Sequence, residues 1–341
     1  MNDYVMSLRN IESDNEFGND PGETSFLVVP QENKKKIKID NINLQWLDLV
    51  VNEAITHQCD DGVFYGDILI FIPGYNNTHE KLLIRHRQLK KTLHDCGYKG
   101  TVVSFDWPSE GDFISYYQDR TDAKRTAGKL ITDCIKPFLE YKIEDKEYKL
   151  NIHLLAHSTG AYVVREAFND LEYLPYCITW QINQIMFIGA DIASESSLES
   201  LYDHCDRLTN YYNNKDIALA FSEFPRRLAA MGSAKDLYEK LVEKRGNYKR
   251  AGRDGLSTNS SEKVINVNCR NYYEKTYNHE KKDQREDDGN EIVGDPSHSW
   301  YIGDKLFAND LYLTIKGSDN GFKKTRKLKK NEFYLKEHFI K

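Results

Sequence analysis

The sequence predicts an α/β fold, a mostly parallel central sheet with helices on both faces, on three observations. From Gly66 onward short apolar runs recur, each of a length suited to one buried strand: Asp67–Ile72, Thr101–Phe105, Leu150–Ala156, Ile182–Gly189, Leu208–Tyr212 and Val264–Asn268. Stretches of helical periodicity alternate with them, which is the pattern of strands joined by crossover helices. The chain has 341 residues, 40% of them hydrophobic, enough for one large core or two modest ones.

Three helices are expected between the strands. In Glu80–Cys96, Leu82, His86, Leu89 and Leu93 share a face, with Asn77 as the expected N-cap and Gly97 at the C-terminal end. A clearer stripe runs through Ala123, Ala127, Leu130, Cys134 and Phe138. The third covers Thr159 to Leu171, its core face marked by Gly160, Val163, Val164, Ala167 and Phe168.

The flanks read differently. Residues 1–25, rich in Asn, Asp, Glu and Gly, predict a mobile leader, followed by strand-like runs at Phe26–Val29 and Ile37–Leu47 suited to a sheet edge. The expected organisation is therefore 1–65 leader and edge strands, 66–317 the α/β domain, and 318–341 a basic tail. Lys323, Lys324, Arg326, Lys327, Lys329 and Lys330 carry no interleaved aromatic platform and read as solvated. Phe221–Arg253 and Asn271–Pro296 break the alternation and read as a lid or plain surface, and as an exposed charged loop.

Composition removes several function classes. A net charge of −6 gives no global field to gather nucleic acid or an anionic membrane. No stretch approaches the roughly 20 apolar residues of a membrane span, and the polar start holds no continuous apolar segment of a signal peptide. Cys59, Cys96, Cys134, Cys177, Cys205 and Cys269 are scattered without a Cys-x-x-Cys pair, so reduced thiols in the cytoplasm are expected. The chain lacks His-Glu-x-x-His, an acidic calcium loop and a Gly-rich phosphate loop, and Asp203-His204-Cys205-Asp206 reads as part of a helix with its ligands diverging. Neither a metal nor a cofactor is expected.

The chemistry concentrates at Ala156-His157-Ser158-Thr159-Gly160, between an apolar strand and a periodic helix. This is the pattern of a nucleophile elbow, in which small residues flank a serine because the strand reverses sharply into the helix. Acyl transfer also needs donors for a developing oxyanion. The Thr159 amide is one candidate, and the Tyr75 amide, in the loop Pro73-Gly74-Tyr75-Asn76-Asn77 after an earlier strand, is the other. Trp107, Tyr116 and Tyr117, after the strand ending at Phe105, are expected either to line an apolar acyl pocket or to fill core. His157 is expected to pack against the sheet, and His86 and His153 to be structural.

Phe71–Asn77, Ser104-Phe105-Asp106-Trp107-Pro108-Ser109 with Gly111, the elbow, and Tyr211-Tyr212-Asn213-Asn214-Lys215-Asp216-Ile217-Ala218-Leu219 together resemble the bacterial α/β hydrolases of unknown function grouped as DUF900. The resemblance covers roughly residues 66–312 and implies the α/β-hydrolase fold. Pro73 stands where such proteins usually have His, and the segment before His298 is long. The resemblance also implies the chain order nucleophile, acid, histidine. His298, in Asp295-Pro296-Ser297-His298-Ser299-Trp300, then becomes the expected base. Asp191 and Asp216 both follow apolar runs; the acid in this fold usually comes after the second strand beyond the elbow, which favours Asp216.

The expected activity is hydrolysis of an ester or related acyl bond through an acyl-enzyme, on a small-molecule or lipid-like acyl substrate. Thioesterase and acyltransferase chemistry share this machinery. The alternative is a non-catalytic α/β-hydrolase scaffold that binds a protein or ligand.

Overall fold

The computed structural model describes residues 2–12, 16–30, 43–60, 62–75, 77–109, 116–141, 147–173, 180–222, 249–257, 261–277, 292–317, 322–329 and 332–336. Among these, eleven strands join in one sheet. They are β1 (Asn2–Ile11), β2 (Phe17–Pro30), β3 (Ile55–Gln58), β4 (Phe64–Ile72), β5 (Thr101–Asp106), β6 (Tyr148–His157), β7 (Ile182–Ile188), β8 (Cys205–Tyr212), β9 (Val264–Asn268), β10 (Arg326–Lys329) and β11 (Glu332–Leu335). The spatial order is β10-β11-β9-β8-β7-β6-β4-β5-β1-β2, with β3 antiparallel to the start of β4. Every pairing from β11 to β1 is parallel, and β10 and β2 close the two edges antiparallel.

The apolar runs are continuous because the central strands are buried on both faces. Ile68, Ile70 and Ile72 of β4 point into one core with Trp46, Phe138 and Phe168, whereas Leu69 and Phe71 point into the other with Leu82, Trp300 and Leu311. The first core is covered by α1 (Asn43–Ala54), α3 (Tyr116–Lys129) and its continuation, and α5 (Gly160–Asn169); the second by α2 (His79–Asp95) and the helix Lys305–Ile315. A π-helical turn, Leu130–Ile135, joins α3 to α4 (Lys136–Leu139), carrying Leu130, Ile131, Cys134 and Ile135 inward. Short helices α6 (Glu199–Asp203) and α7 (Ile217–Ser222) flank β8.

Several local expectations change. Thr78, not Asn77, caps α2, its hydroxyl accepting from the Lys81 amide at 3.3 Å. Cys205 and Asp206 open β8 instead of extending a helix, and among the described residues no cluster of His, Cys, Asp or Glu is arranged to hold a metal. Leu47 belongs to α1 and not to a strand, because Trp46, Val50, Val51 and Ala54 recur at helical spacing on one buried face. Residues 37–42 lie outside the described residues, as do most of the two irregular segments, 223–248 and 278–291.

The largest corrections are at the ends. The expected leader is instead β1, paired with both β5 and β2; Tyr4, Met6 and Leu8 enter one core and Val5 the other. Its polar residues misread as solvated because their partners lie far along the chain: Arg9 Nε donates to Asp106 at 2.9 Å and Ser7 Oγ to the same carboxylate at 3.1 Å. At the other end the basic tail forms β10 and β11. Lys327 and Lys329 are exposed, but Arg326 is fully buried and forks onto Asp310, with Nη2 at 2.7 Å from Oδ2 and Nε at 2.8 Å from Oδ1. Tyr211 Oη donates to the same carboxylate at 2.7 Å, so the final hairpin is tied to β8 and to the helix Lys305–Ile315. No helix among the described residues is long and apolar enough to cross a membrane.

Removing one member of a fully buried ion pair strands the other charge, at about 3–5 kcal/mol. Arg326→Leu is therefore expected to lower the unfolding free energy by about that amount in urea titration, whereas Lys327→Leu changes it by about 0.5 kcal/mol or less.

Candidate active site

The strand β6 ends at His157 and α5 begins at Gly160, so the chain must reverse across Ser158 and Thr159. Ser158 takes φ +55°, and among the described residues it is the one non-glycine in the left-handed region. Such a conformation costs on the order of 1–3 kcal/mol and persists only where its surroundings hold it. Here the Ser158 amide donates to the Ile188 carbonyl at 3.1 Å, and its own carbonyl accepts from the Asp191 and Ala161 amides, each at 3.1 Å. A Cβ on Gly160 would lie 2.4 Å from the Ile72 carbonyl oxygen, so only glycine lets α5 start this close to β4.

The loop after β4 lies directly against the serine. A Cβ on Gly74 would stand 2.7 Å from Ser158 Cβ and 3.2 Å from its Oγ. Gly74 is therefore required for space, and its backbone is not left-handed. The loop is braced from behind. Trp107 Nε1 donates to the Pro73 carbonyl at 2.8 Å, and Asn77 Nδ2 donates to the Gly74 and Tyr75 carbonyls at 2.6 and 3.1 Å. Arg9 Nη2 reaches the Asn77 and Trp107 carbonyls at 2.5 and 3.3 Å while its Nε holds Asp106. Burial alone would push the Asp106 pKa up, but Arg9 and His79 beside it hold it down to about 2.

Trp107 is thus a core strut, 1% exposed, rather than a wall of an open pocket. Tyr116 and Tyr117 lie in the first turn of α3, and their side chains are outside the described residues. Tyr75 is half-buried and packs on the core, and Thr159 is fully buried, its hydroxyl without a hydrogen-bond partner among the described residues.

His298 sits on the short helix Pro296–Ser299, which Asp295 caps by accepting from the Ser297 amide. Its Nδ1 lies 2.6 Å from Asp216 Oδ2. The other Asp216 oxygen accepts from the Leu219 amide at 2.9 Å, and its carbonyl accepts from the Arg253 guanidinium. Gly189, φ +54°, floors this pair, since a Cβ there would lie 3.1 Å from the His298 ring and 3.4 Å from Asp216. Burial opposes charging His298, but Asp216, with Asp191 and Asp295 farther off, outweighs it and raises the pKa above the ordinary histidine value. Asp191 instead faces Arg250 Nε at 3.5 Å.

His157 joins the two halves. Its Nε2 donates to the His298 carbonyl at 3.1 Å, with the rings 4.6 Å apart. At the carboxyl edge of the sheet, Ser158 and Thr159 form the strand-to-helix turn, Gly74 of the loop that carries Tyr75 lies against Ser158, and His157 joins the turn to the His298–Asp216 pair. A hydroxyl on a strained turn beside an imidazole whose Nδ1 is held by a carboxylate can deliver a nucleophile and store its proton. Sequence reasoning missed Arg9, Arg85, Gly189 and Arg253. Gly189 had a visible signal, as a glycine ending an apolar strand one residue pair before Asp191.

The family model for α/β hydrolases of unknown function (DUF900) matches residues 55–272. No curated protein matches the chain. Among solved structures, phospholipase PlaB from Legionella pneumophila, in complex with thio-NAD, is 16% identical over 63% of this chain at a TM-score of 0.27, and the chain spans 40% of its length. RedJ, with a polyethylene glycol molecule bound in its active site, is 14% identical over 59% of this chain and 66% of its own, at 0.24. Polyneuridine aldehyde esterase is 14% identical over 73% of this chain and 99% of its own, at 0.27. With the matched model spanning most of the chain, the protein belongs to the DUF900 family of α/β hydrolases.

Proposed function

We propose that the protein is a serine hydrolase that cleaves an ester or related acyl bond through an acyl-enzyme on Ser158. The observation that carries the reading is the strained turn at Ser158, joined through the adjacent His157 to a buried His298–Asp216 pair. Ser158 Oγ attacks the acyl carbon as its proton passes to His298 Nε2. The Nδ1 proton of His298 is donated to Asp216, which fixes the tautomer and stabilises the imidazolium. The charge developing on the acyl oxygen is met by the Thr159 and Tyr75 amides, and expulsion of the leaving group takes the proton back from Nε2. Water then repeats the sequence on the ester to Ser158, releasing the acid and restoring the hydroxyl.

The loop that carries Tyr75 is held by Trp107, Asn77 and Arg9, so its amide needs little reorganisation during reaction. Asp216 is the acid in this reading, because it holds the Nδ1 side of the imidazole while Asp191 faces Arg250. A lipid-like or other small acyl compound is the proposed substrate class.

Ser158→Ala is expected to abolish covalent labelling by a fluorophosphonate probe while leaving the melting temperature within a few degrees of the wild type; labelling that persists at another residue contradicts the assignment. Asp216→Asn should lower turnover of p-nitrophenyl esters by ~10³- to 10⁴-fold, and Asp191→Asn by far less. The pH profile adds a sign. His298 must be unprotonated at Nε2, and its pKa is raised, so kcat/KM should fall as pH drops through a value above the ordinary histidine pKa of ~6.5. In Asp216→Asn that limb should move to lower pH; a shift upward would mean another group sets it.

A further inference from the structure

Arg85, on α2, is a buried cation that the reaction above does not use. It is 6% exposed, and among the described residues no carboxylate lies within ion-pair distance of its guanidinium. Burial lowers its pKa to about 10. Keeping a guanidinium with no carboxylate partner inside a fold is costly unless other acceptors satisfy its N–H groups. Nη2 donates to the Val293 carbonyl at 2.7 Å and approaches Ser299 Oγ at 3.5 Å, so it grips the chain on both sides of His298. A Cβ on Gly294, φ +99°, would lie 3.0 Å from that same nitrogen, so the backbone is shaped around it. Nη1 lies 3.5 Å from His157 Nδ1.

His157 is the next link. An N–H of Arg85 faces its Nδ1, so that nitrogen must be the acceptor, and its proton sits on Nε2, which donates to the His298 carbonyl at 3.1 Å. We propose that Arg85 and His157 form a positioning relay for His298: the guanidinium locks His157 as the neutral Nε2–H tautomer, and His157 in turn fixes the main chain of the base beside Ser158. The proposal rests on the serine-hydrolase reading and adds to it how a histidine that returns after a long charged segment is held in register with the elbow.

Charge makes the tautomer matter. Burial, then His298, then Arg85 all oppose protonation of His157 and keep it well below the ordinary histidine value. His298 is faced by Asp216 after β8, Asp191 after β7, Asp295 at the head of its own helix, and His157 at the end of β6; His157 is faced by His298 and by Arg85 from α2. A proton on His157 would put a cation 4.6 Å from the ring that must itself become an imidazolium during reaction. Burial, His298 and Arg85 together therefore exclude the one protonation that would oppose catalysis from within the elbow.

The test pairs ¹⁵N-histidine NMR with the pH dependence of fluorophosphonate labelling. In the wild type, His157 should give the nitrogen shifts of a neutral Nε2–H imidazole throughout about pH 5 to 8, and labelling should have a one-proton acid limb. In Arg85→Gln, the His157 nitrogen shifts should move from those of a single Nε2–H form toward a mixture of tautomers, and labelling at neutral pH should fall ~10- to 100-fold. His157→Leu should lose rate by a similar factor through kcat and not KM, and His157→Gln, whose amide can both accept from Arg85 and donate to the His298 carbonyl, should recover much of it. An Nδ1–H tautomer or an ordinary titration of His157 in the wild type overturns the relay, as does an Arg85→Gln protein with unchanged shifts and unchanged labelling. Should Arg85→Gln fail to fold, the wild-type tautomer and the two His157 variants decide. A wild type that never reacts with the probe refutes the hydrolase reading, and the NMR result then decides the relay by itself.

Discussion

The carboxyl edge of the sheet is organised around the left-handed turn at Ser158, because a non-glycine residue at φ +55° holds only if its neighbours leave it no alternative. Hydrogen bonds to the Ile188 carbonyl and from the Asp191 and Ala161 amides clamp its backbone, and three glycines make room for the rest. Gly160 admits the helix against β4, Gly74 admits the preceding loop against the serine side chain, and Gly189 admits the His298–Asp216 pair. Each is a place where a single methyl group would push a functional element away. The strain is local, and the two hydrophobic cores on either side of the sheet sustain it.

Buried charge plays the second organising part. Arg9 and Asp106 tie the first strand to β5 and brace the loop of Tyr75, while Arg326 and Asp310 lock the last hairpin to β8. Arg85 does the same for the segment that bears His298. In each case the guanidinium spans several acceptors at once, which suits a planar fork better than a point charge. Both ends of the chain are thereby coupled to the sheet edge that holds the site.

What could be read from the sequence was what local pattern encodes. The strands from β4 to β9 and the strand-to-helix turn follow from apolar runs and small residues around a serine, and the partnership of His298 with Asp216 from the chain order that the family resemblance implies. What could not be read depends on distant partners. Ser7 and Arg9 look like a solvated leader until Asp106, some 97 residues beyond Arg9, is brought beside them, Asp3 until Arg87 is, and Arg326 looks like one more surface cation until Asp310 is. Trp107 was ambiguous for a related reason, since an aromatic after a strand serves equally as pocket wall or strut, and only the Pro73 carbonyl decides. Arg85 stood within reach, three residues after Leu82 on the buried face of α2, but its charge argues for solvent until its acceptors are known.

The proposed mechanism stands on covalent acylation of Ser158 during turnover. The most direct measurement is a rapid acid quench of the wild-type protein with a p-nitrophenyl ester, followed by intact-mass analysis and peptide mapping. The account predicts one acyl group per chain, on the peptide containing Ser158, appearing with a burst of p-nitrophenol and decaying at the steady-state rate. Turnover with no acylated Ser158, or with the acyl group on another residue, would contradict it.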